Sequence, residues 1–281
     1  MNRTAKVTRY SFQNITRFKS VRNAYANEVQ QQIEVHLVAL NKSGGVYKVK
    51  TKKRRQSYHK ELEAISPILH EKVFPVLIVK TDIKGLITKF LNHEDIVYNW
   101  SKHKKQIVEK LEKNWMSVNV VKGIEELMFN YEEFHNTFVR KPEMKLLFPS
   151  LQNADYELDK KYVQSEICNE FAANVEIPMS VMYSMSEGEN QAPIFRFQGK
   201  LDDEKFETKK PGQQKSEARK LLELVRAIKS SNKVQYRPQI KQTGFFNLHD
   251  ATVLTKSLEA ISFKIPEFMY QDRITSLTIK N

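Results

Sequence analysis

Between residues 73 and 138 the spacing of apolar side chains changes once, and that change limits the folds open to this chain. Residues 73–81 (VFPVLIVKT) form a short apolar run rich in β-branched residues, the composition of a buried strand. Asp82-Ile83-Lys84-Gly85 follows, with Asp first and Gly last as a type I turn prefers. Residues 86–91 return as a second strand, so a hairpin is expected. Pro75 has no N–H to give to a ladder and belongs at a strand start, bulge or edge.

The period then becomes helical. Asn92 stands where an N-cap would, with Glu94 and Asp95 in the first turn. Ile96, Trp100, Ile107, Leu111 and Trp115 recur at helical spacing, and Lys102, Lys104, Lys105, Lys110 and Lys113 fill the other face. A second helix is predicted to carry Ile124, Leu127, Met128, Tyr131, Phe134 and Phe138. The short polar stretch 117–123 makes the two helices antiparallel neighbours. The aromatic stripe reads as a core face rather than a ligand pocket.

Upstream, residues 29–40 and 46–55 alternate about the turn Asn41-Lys42-Ser43-Gly44-Gly45. Folding about Ser43 sets Ala39 against Tyr47, Leu37 against Val49 and Glu34 against Lys52. This register puts Lys48, Lys50, Lys52 and Arg54 on one outer face, with Lys53 and Arg55 beside them. Composition marks the same place. The chain has 281 residues and a formal charge of +13. Residues 1–55 hold 13 Lys and Arg against 2 Glu, a net of +11, which leaves +2 for the rest. The charge belongs to one segment.

Residues 6–12 read as a first strand and 14–28 as loop or short helix. Tyr58, Leu62, Ile65 and Leu69 suggest a short helix disturbed at Pro67. The helical region is expected to break at Pro142 and Pro149, with a polar connection over 150–161. Residues 175–185 and 194–201 read as a strand pair, and 202–215 as an exposed charged segment. Ser216 can cap a helix with a core face of Ala218, Leu221, Leu222, Val225 and Ile228. Residues 234–248, 254–265 and 273–280 close the chain as strands. Strand patterns at both ends with helices between them predict an α+β protein. Its core would be an antiparallel, strongly curved sheet or partial barrel packed against the central helical hairpin. A division at 150 would give an N-terminal half, 1–150, and a C-terminal half, 151–281.

Few reactions are written in these residues. His70-Glu71 and His93-Glu94 begin the zinc-protease helix motif, but Phe74 and Val97 occupy the second histidine positions. No phosphate loop or nucleophile elbow is present, and no metal or cofactor is expected. The acidic groups Asp155/Glu157/Asp159 and Asp202/Asp203/Glu204 lack the remaining ligands of a calcium loop. His249-Asp250 is the best remaining acid–base pair, without an assignable partner. One cysteine, Cys168, excludes an internal disulfide and points to a reducing, cytoplasmic setting. No apolar run approaches a membrane span, and no secretory h-region follows the first residues.

The basic ridge Lys48, Lys50, Lys52, Lys53, Arg54 and Arg55 is what remains. The first reading is a non-catalytic cytoplasmic interaction protein, a subunit or accessory factor of a larger assembly, that uses the ridge against an acidic protein surface. The second is nucleic-acid binding, with Tyr47 and Tyr58 near enough to stack on a base. A hydrolase or small-ligand protein with a site in the curved sheet is the third. The remaining alternative gives the lysines no partner: they only keep an exposed edge strand from pairing with another chain.

Overall fold

The computed structural model describes residues 7–20, 24–56, 65–111, 116–149, 157–168, 175–188, 192–229, 237–248 and 254–280. The chain forms two compact units, and three of its strands contribute to both. Unit 1 holds residues 1–14, 28–154 and 277–281, and unit 2 holds 15–27 and 155–276. Both are antiparallel sheet with helices.

In unit 1 the strands are β1 (Val7–Ser20, first half), β2 (Ala24–Asn41, from Glu28 on), β3 (Gly44–Gln56), β4 (Leu77–Thr81) and β5 (Ile87–Phe90). Their order is β5-β4-β3-β2-β1, and each of the pairs β2–β3, β3–β4 and β4–β5 is antiparallel. The alternation read from 29–40 and 46–55 is realised over 33–37 and 47–51, where Ile33 and Val49 are buried on one face together with Val79 of β4. Four helices follow: α1 (His93–Leu111), α2 (Met116–Phe129), α3 (Tyr131–Val139) and α4 (Pro142–Leu147). Ile96, Trp100 and Ile107 of α1 are fully buried, as their spacing requires. Lys104 of α1 reaches Glu125 of α2 at 2.7 Å. Phe90 of β5 meets the edge of Phe134 with ring centres 5.4 Å apart, and Phe134 stacks on Phe138 at 4.3 Å.

Several boundaries differ from the sequence reading. Residues 69–73 wind as a π-helical turn, so the strand begins at Leu77 and not at Val73. Asn130 caps a separate helix by accepting the Glu133 N–H at 3.1 Å, which divides the single helix expected over 124–138. Pro142 starts α4 rather than ending order, because a proline at N1 gives up an N–H that has no intrahelical partner anyway. Asn92 spends its side chain outside the helix: it accepts from Ile78 N–H at 2.8 Å and donates to the Val76 carbonyl at 2.9 Å.

Unit 2 contains β6 (Lys161–Cys168), β7 (Ile177–Glu187), β8 (Pro193–Leu201), β9 (Gln239–Leu248), β10 (Leu254–Ile265) and the larger part of β11 (Met269–Ile279). Their order is β11-β10-β9-β8-β7-β6. Two helices, α5 (Asp203–Glu207) and α6 (Glu217–Lys229), lie between β8 and β9 in sequence. Ala218, Leu221 and Val225 of α6 are buried, and Ser216 accepts the Arg219 N–H at 3.3 Å as an N-cap. The segment 202–215, expected to be exposed, anchors itself through Phe206, which is fully buried, and Asp202 caps α5. Residues 15–20 and 24–27, expected as loop or helix, are strand. They carry no clean apolar face, since most of 13–20 is neither buried nor fully exposed, and alternation is the only local signal a strand has. Strand β6, which was not anticipated, is an edge strand exposed along most of its length, so it too lacked that signal.

Candidate interaction face

The β2–β3 hairpin turns at Lys42-Ser43. Asn41 fixes the turn by accepting the Ser43 N–H at 2.9 Å. Gly44 adopts φ 133°, open only to glycine here, because a Cβ would lie 2.0 Å from the Thr81 carbonyl oxygen. Two irregularities, at Leu37/Ala39 and Gln32/Ile33, then set the register: Leu37 faces Tyr47, Val35 faces Val49, and Glu34 faces Lys50. Each apolar partner is displaced by two from the arrangement expected about Ser43, so the same faces are kept.

The second irregularity reverses the phase of the basic run. Thr51 opposes Ile33 but Lys53 opposes Gln32, which leaves Lys52 as the extra residue of a bulge. Lys48, Lys50 and Lys52 lie on the outer face, where Lys48 pairs with His36 and Lys52 contacts Glu34. Arg55 opposes Gln30 on that face and is exposed, and Lys53 opposes Gln32 in the ladder. Arg54 does not join them. It opposes the buried Gln31 and turns to the inner side.

Sequence reasoning missed the neighbours that widen the patch. Lys80 of β4 opposes Val46 on one side and Lys89 of β5 on the other, so both lie on the outer face beside Lys48. Arg9 adds a further cation from β1, 3.2 Å from Glu34. These were recoverable only by pairing the strands, because each stands alone in its own segment. The acids set among them are Glu28 and Glu34. Partial burial pushes the Glu34 carboxyl up, but hydrogen bonds and charge from Lys52 and Arg9 outweigh it and hold the group below its usual range. Glu28 is likewise held low, by hydrogen bonds from Gln30 and Gln13. Tyr47 faces inward and packs edge-on against Phe148 at 5.3 Å, so it offers no stacking surface outside. Tyr58 lies outside the described residues.

On the inner side, Arg54 enters a group with His70, Lys141 and Glu143. Lys141 Nζ sits 3.7 Å from the Phe138 ring centre and 5.7 Å from that of Phe74. Burial pulls Lys141 down to about 8, with Glu143 opposing and Arg54 adding to the shift. Burial, then Arg54 and Lys141, takes His70 down to about 3, so it is neutral at physiological pH. The cavity there, lined by Ile33, Thr51, Phe74 and Lys141 among others, measures about 20 Å³. That is room for one water, not a metabolite.

The remaining sequence candidates do not assemble. His70 belongs to the π-turn and His93 opens α1. Asp202 is spent as a helix cap, with Asp203 and Glu204 in the first turn of α5. Residues Asp155, His249 and Asp250 lie outside the described set. Among the described residues no three His, Cys, Asp or Glu side chains come together as a metal site, and no helix is long and apolar enough to cross a membrane.

No protein-family model matches the sequence, and no curated protein is significantly similar to it. Among solved structures, one titled "Lipid-protein interactions in lipovitellin" aligns with all of this chain at 9% identity and a TM-score of 0.46. The chain spans 26% of the length of that structure, a likeness too slight to support any conclusion.

Proposed function

We propose that this chain is a non-catalytic cytoplasmic interaction protein, a subunit or accessory factor of a larger assembly, that engages an acidic protein surface. The outer face of its β2–β5 sheet makes the contact. The observation that carries the reading is the gathering of Lys48, Lys50, Lys52, Lys80 and Lys89 on one side of consecutive strands. A face of one sign steers an oppositely charged partner and sets its orientation. Single-stranded nucleic acid is the weaker candidate, since such partners stack on exposed aromatic rings and Tyr47 is turned inward.

The scaffold we propose is strongly curved, a partial barrel backed by helices. Support comes from unit 2, where Cys168 on β6 acts electrostatically on Arg273 of β11. Five strand spacings of about 4.8 Å would hold these residues about 24 Å apart in a flat sheet. Such a distance leaves little interaction.

Replacing Lys48, Lys50, Lys52, Lys80 and Lys89 with Gln tests the function. Affinity for an acidic protein captured by the wild type should fall by about tenfold or more, and its salt dependence should shrink. Unchanged affinity with new self-association would mean that the lysines only guard the sheet. Co-purified nucleic acid that leaves with salt would favour the second reading.

A further inference from the structure

The β2–β3 and β4–β5 hairpins end side by side. The Gly45 N–H donates to Thr81 Oγ1 at 3.2 Å, and Gly44 lies so close to Thr81 and Asp82 that no side chain fits between the two ends. Both ends are held rigid by short polar residues. Asp82 Oδ1 accepts from the N–H groups of Lys84 and Leu86, each at 2.9 Å, and Asn41 Oδ1 accepts from Ser43 N–H and its hydroxyl. Yet these rigid ends hold large aliphatic side chains in water. Val38 is 61% exposed, Leu40 58%, Ile83 46% and Leu86 49%. Lys42 and Lys84 lie in the same two turns, and the Asp82 carboxylate is engaged by its own loop.

We infer that these paired hairpin ends dock the protein on an anionic phospholipid bilayer. Val38, Leu40, Ile83 and Leu86 enter the boundary between headgroups and acyl chains. Lys42 and Lys84 remain at headgroup level, beside the phosphates. Charge selects this occupant over a second copy of the chain, because two copies would bring lysine against lysine. Composition selects it over a protein partner, whose interface centres on aromatic, Met or Arg anchors: the aromatic ring that reaches these ends, Tyr47 against Gly45, is already packed on Phe148. Preformed turns add to the fit, since little conformational freedom is lost on insertion. The inference is independent of the acidic-protein reading, which uses the lysines along the strands.

Sedimentation of the full chain with vesicles tests it. One set is phosphatidylcholine alone, the other phosphatidylcholine and phosphatidylserine in equal parts. The wild type should bind the mixed vesicles and not the neutral ones. The variant Val38→Asn/Leu40→Asn/Ile83→Asn/Leu86→Asn should bind at least about tenfold more weakly with its thermal midpoint unchanged, because only exposed groups are altered. Lys48→Gln/Lys50→Gln/Lys52→Gln should still sediment with mixed vesicles even where acidic-protein binding is lost. Failure of the wild type to bind mixed vesicles overturns the inference, as does a fourfold variant that binds like the wild type. Capture of an acidic protein through the same four residues, without vesicle binding, also overturns it. If the fourfold variant does not fold, Ile83→Trp decides. Its indole emission should shift to the blue on mixed vesicles, and an unshifted indole rejects the docking.

Discussion

Lys52 and Arg54 stand two residues apart on one strand and leave it on opposite faces of the sheet. Lys52 reaches Glu34 at 3.2 Å on the outer side, while Arg54 opposes the buried Gln31 within. The bulge at Lys52 inserts one residue and so exchanges the faces beyond it. One consequence is a basic run that serves two environments. Its first part is a solvated surface, and Arg54 becomes part of the charge balance around His70 and Lys141.

Arg54→Gln should therefore be felt at His70. Burial is the larger cause of the low His70 value of about 3, and the positive charges of Arg54 and Lys141 lower it further. Removing one of them should raise the His70 midpoint toward its ordinary value, followed by the imidazole resonances in NMR. Lys52→Gln should leave the midpoint unchanged, and its stability cost should stay within about 1 kcal/mol, as for other surface ion pairs. A His70 midpoint that ignores Arg54→Gln would place the guanidinium elsewhere.

Lys141 gives the fold a pH dependence of known sign. Its folded value of about 8 lies below the ordinary 10.5, so between these limits the unfolded chain binds more protons and stability rises with pH. Below about 8 the cost of the buried ammonium is fully present. The unfolding free energy of the wild type should therefore rise relative to that of Lys141→Met between pH 8 and 10. The full window represents on the order of 2 kcal/mol, set below the linkage value because the residue keeps some exposure. Tyr10, which burial raises to about 12, contributes equally to both proteins and cancels. Parallel curves would show Lys141 to be solvated.

Much of the architecture could be read from spacing. The helical period over 96–111 placed Trp100 and Ile107 in the core, and the alternation on each side of Ser43 placed Ile33 and Val49 there. Both signals arise from one face being buried. Where neither face is buried, as along β6 and residues 15–20, the sequence held no period to find. The register of the basic hairpin failed for another reason. A bulge at Lys52 leaves no local mark in the run Lys50-Thr51-Lys52-Lys53-Arg54, because it is fixed by the partner strand. Lys80 and Lys89 were hidden likewise, since only strand pairing brings them beside Lys48.

In unit 2 a buried ion pair invites a direct measurement. Arg273 and Glu259 are each 5% exposed, joined at 2.8 Å, and Gln242 donates to the second oxygen of Glu259 at 2.9 Å. Glu259→Gln keeps the shape but leaves the guanidinium without its carboxylate. A loss of about 3–5 kcal/mol in urea unfolding is expected, the range for breaking a buried pair from one side. Restoring neutrality with Arg273→Met in the same chain should recover part of it. A cost under 1 kcal/mol for the single change would mean that water reaches the pair.

Asn92 and Asn130 each precede a helix, yet they should respond oppositely to the same substitution. Asn130 only accepts, from Glu133 N–H, so Asn130→Asp keeps the bond and adds a charge that the helix dipole favours. Its effect should lie between zero and a gain of about 0.5 kcal/mol. Asn92 both accepts from Ile78 N–H and donates to the Val76 carbonyl, tying the start of α1 to β4. Asn92→Asp retains the acceptor, loses the donor and sets a carboxylate against a carbonyl oxygen. It should cost about 1–3 kcal/mol, the price of a part-buried group left unpaired. Denaturant midpoints of the two variants decide the matter. Equal or greater stability for Asn92→Asp would return Asn92 to the simple capping role its position suggests, and the link from α1 to β4 would be lost with it.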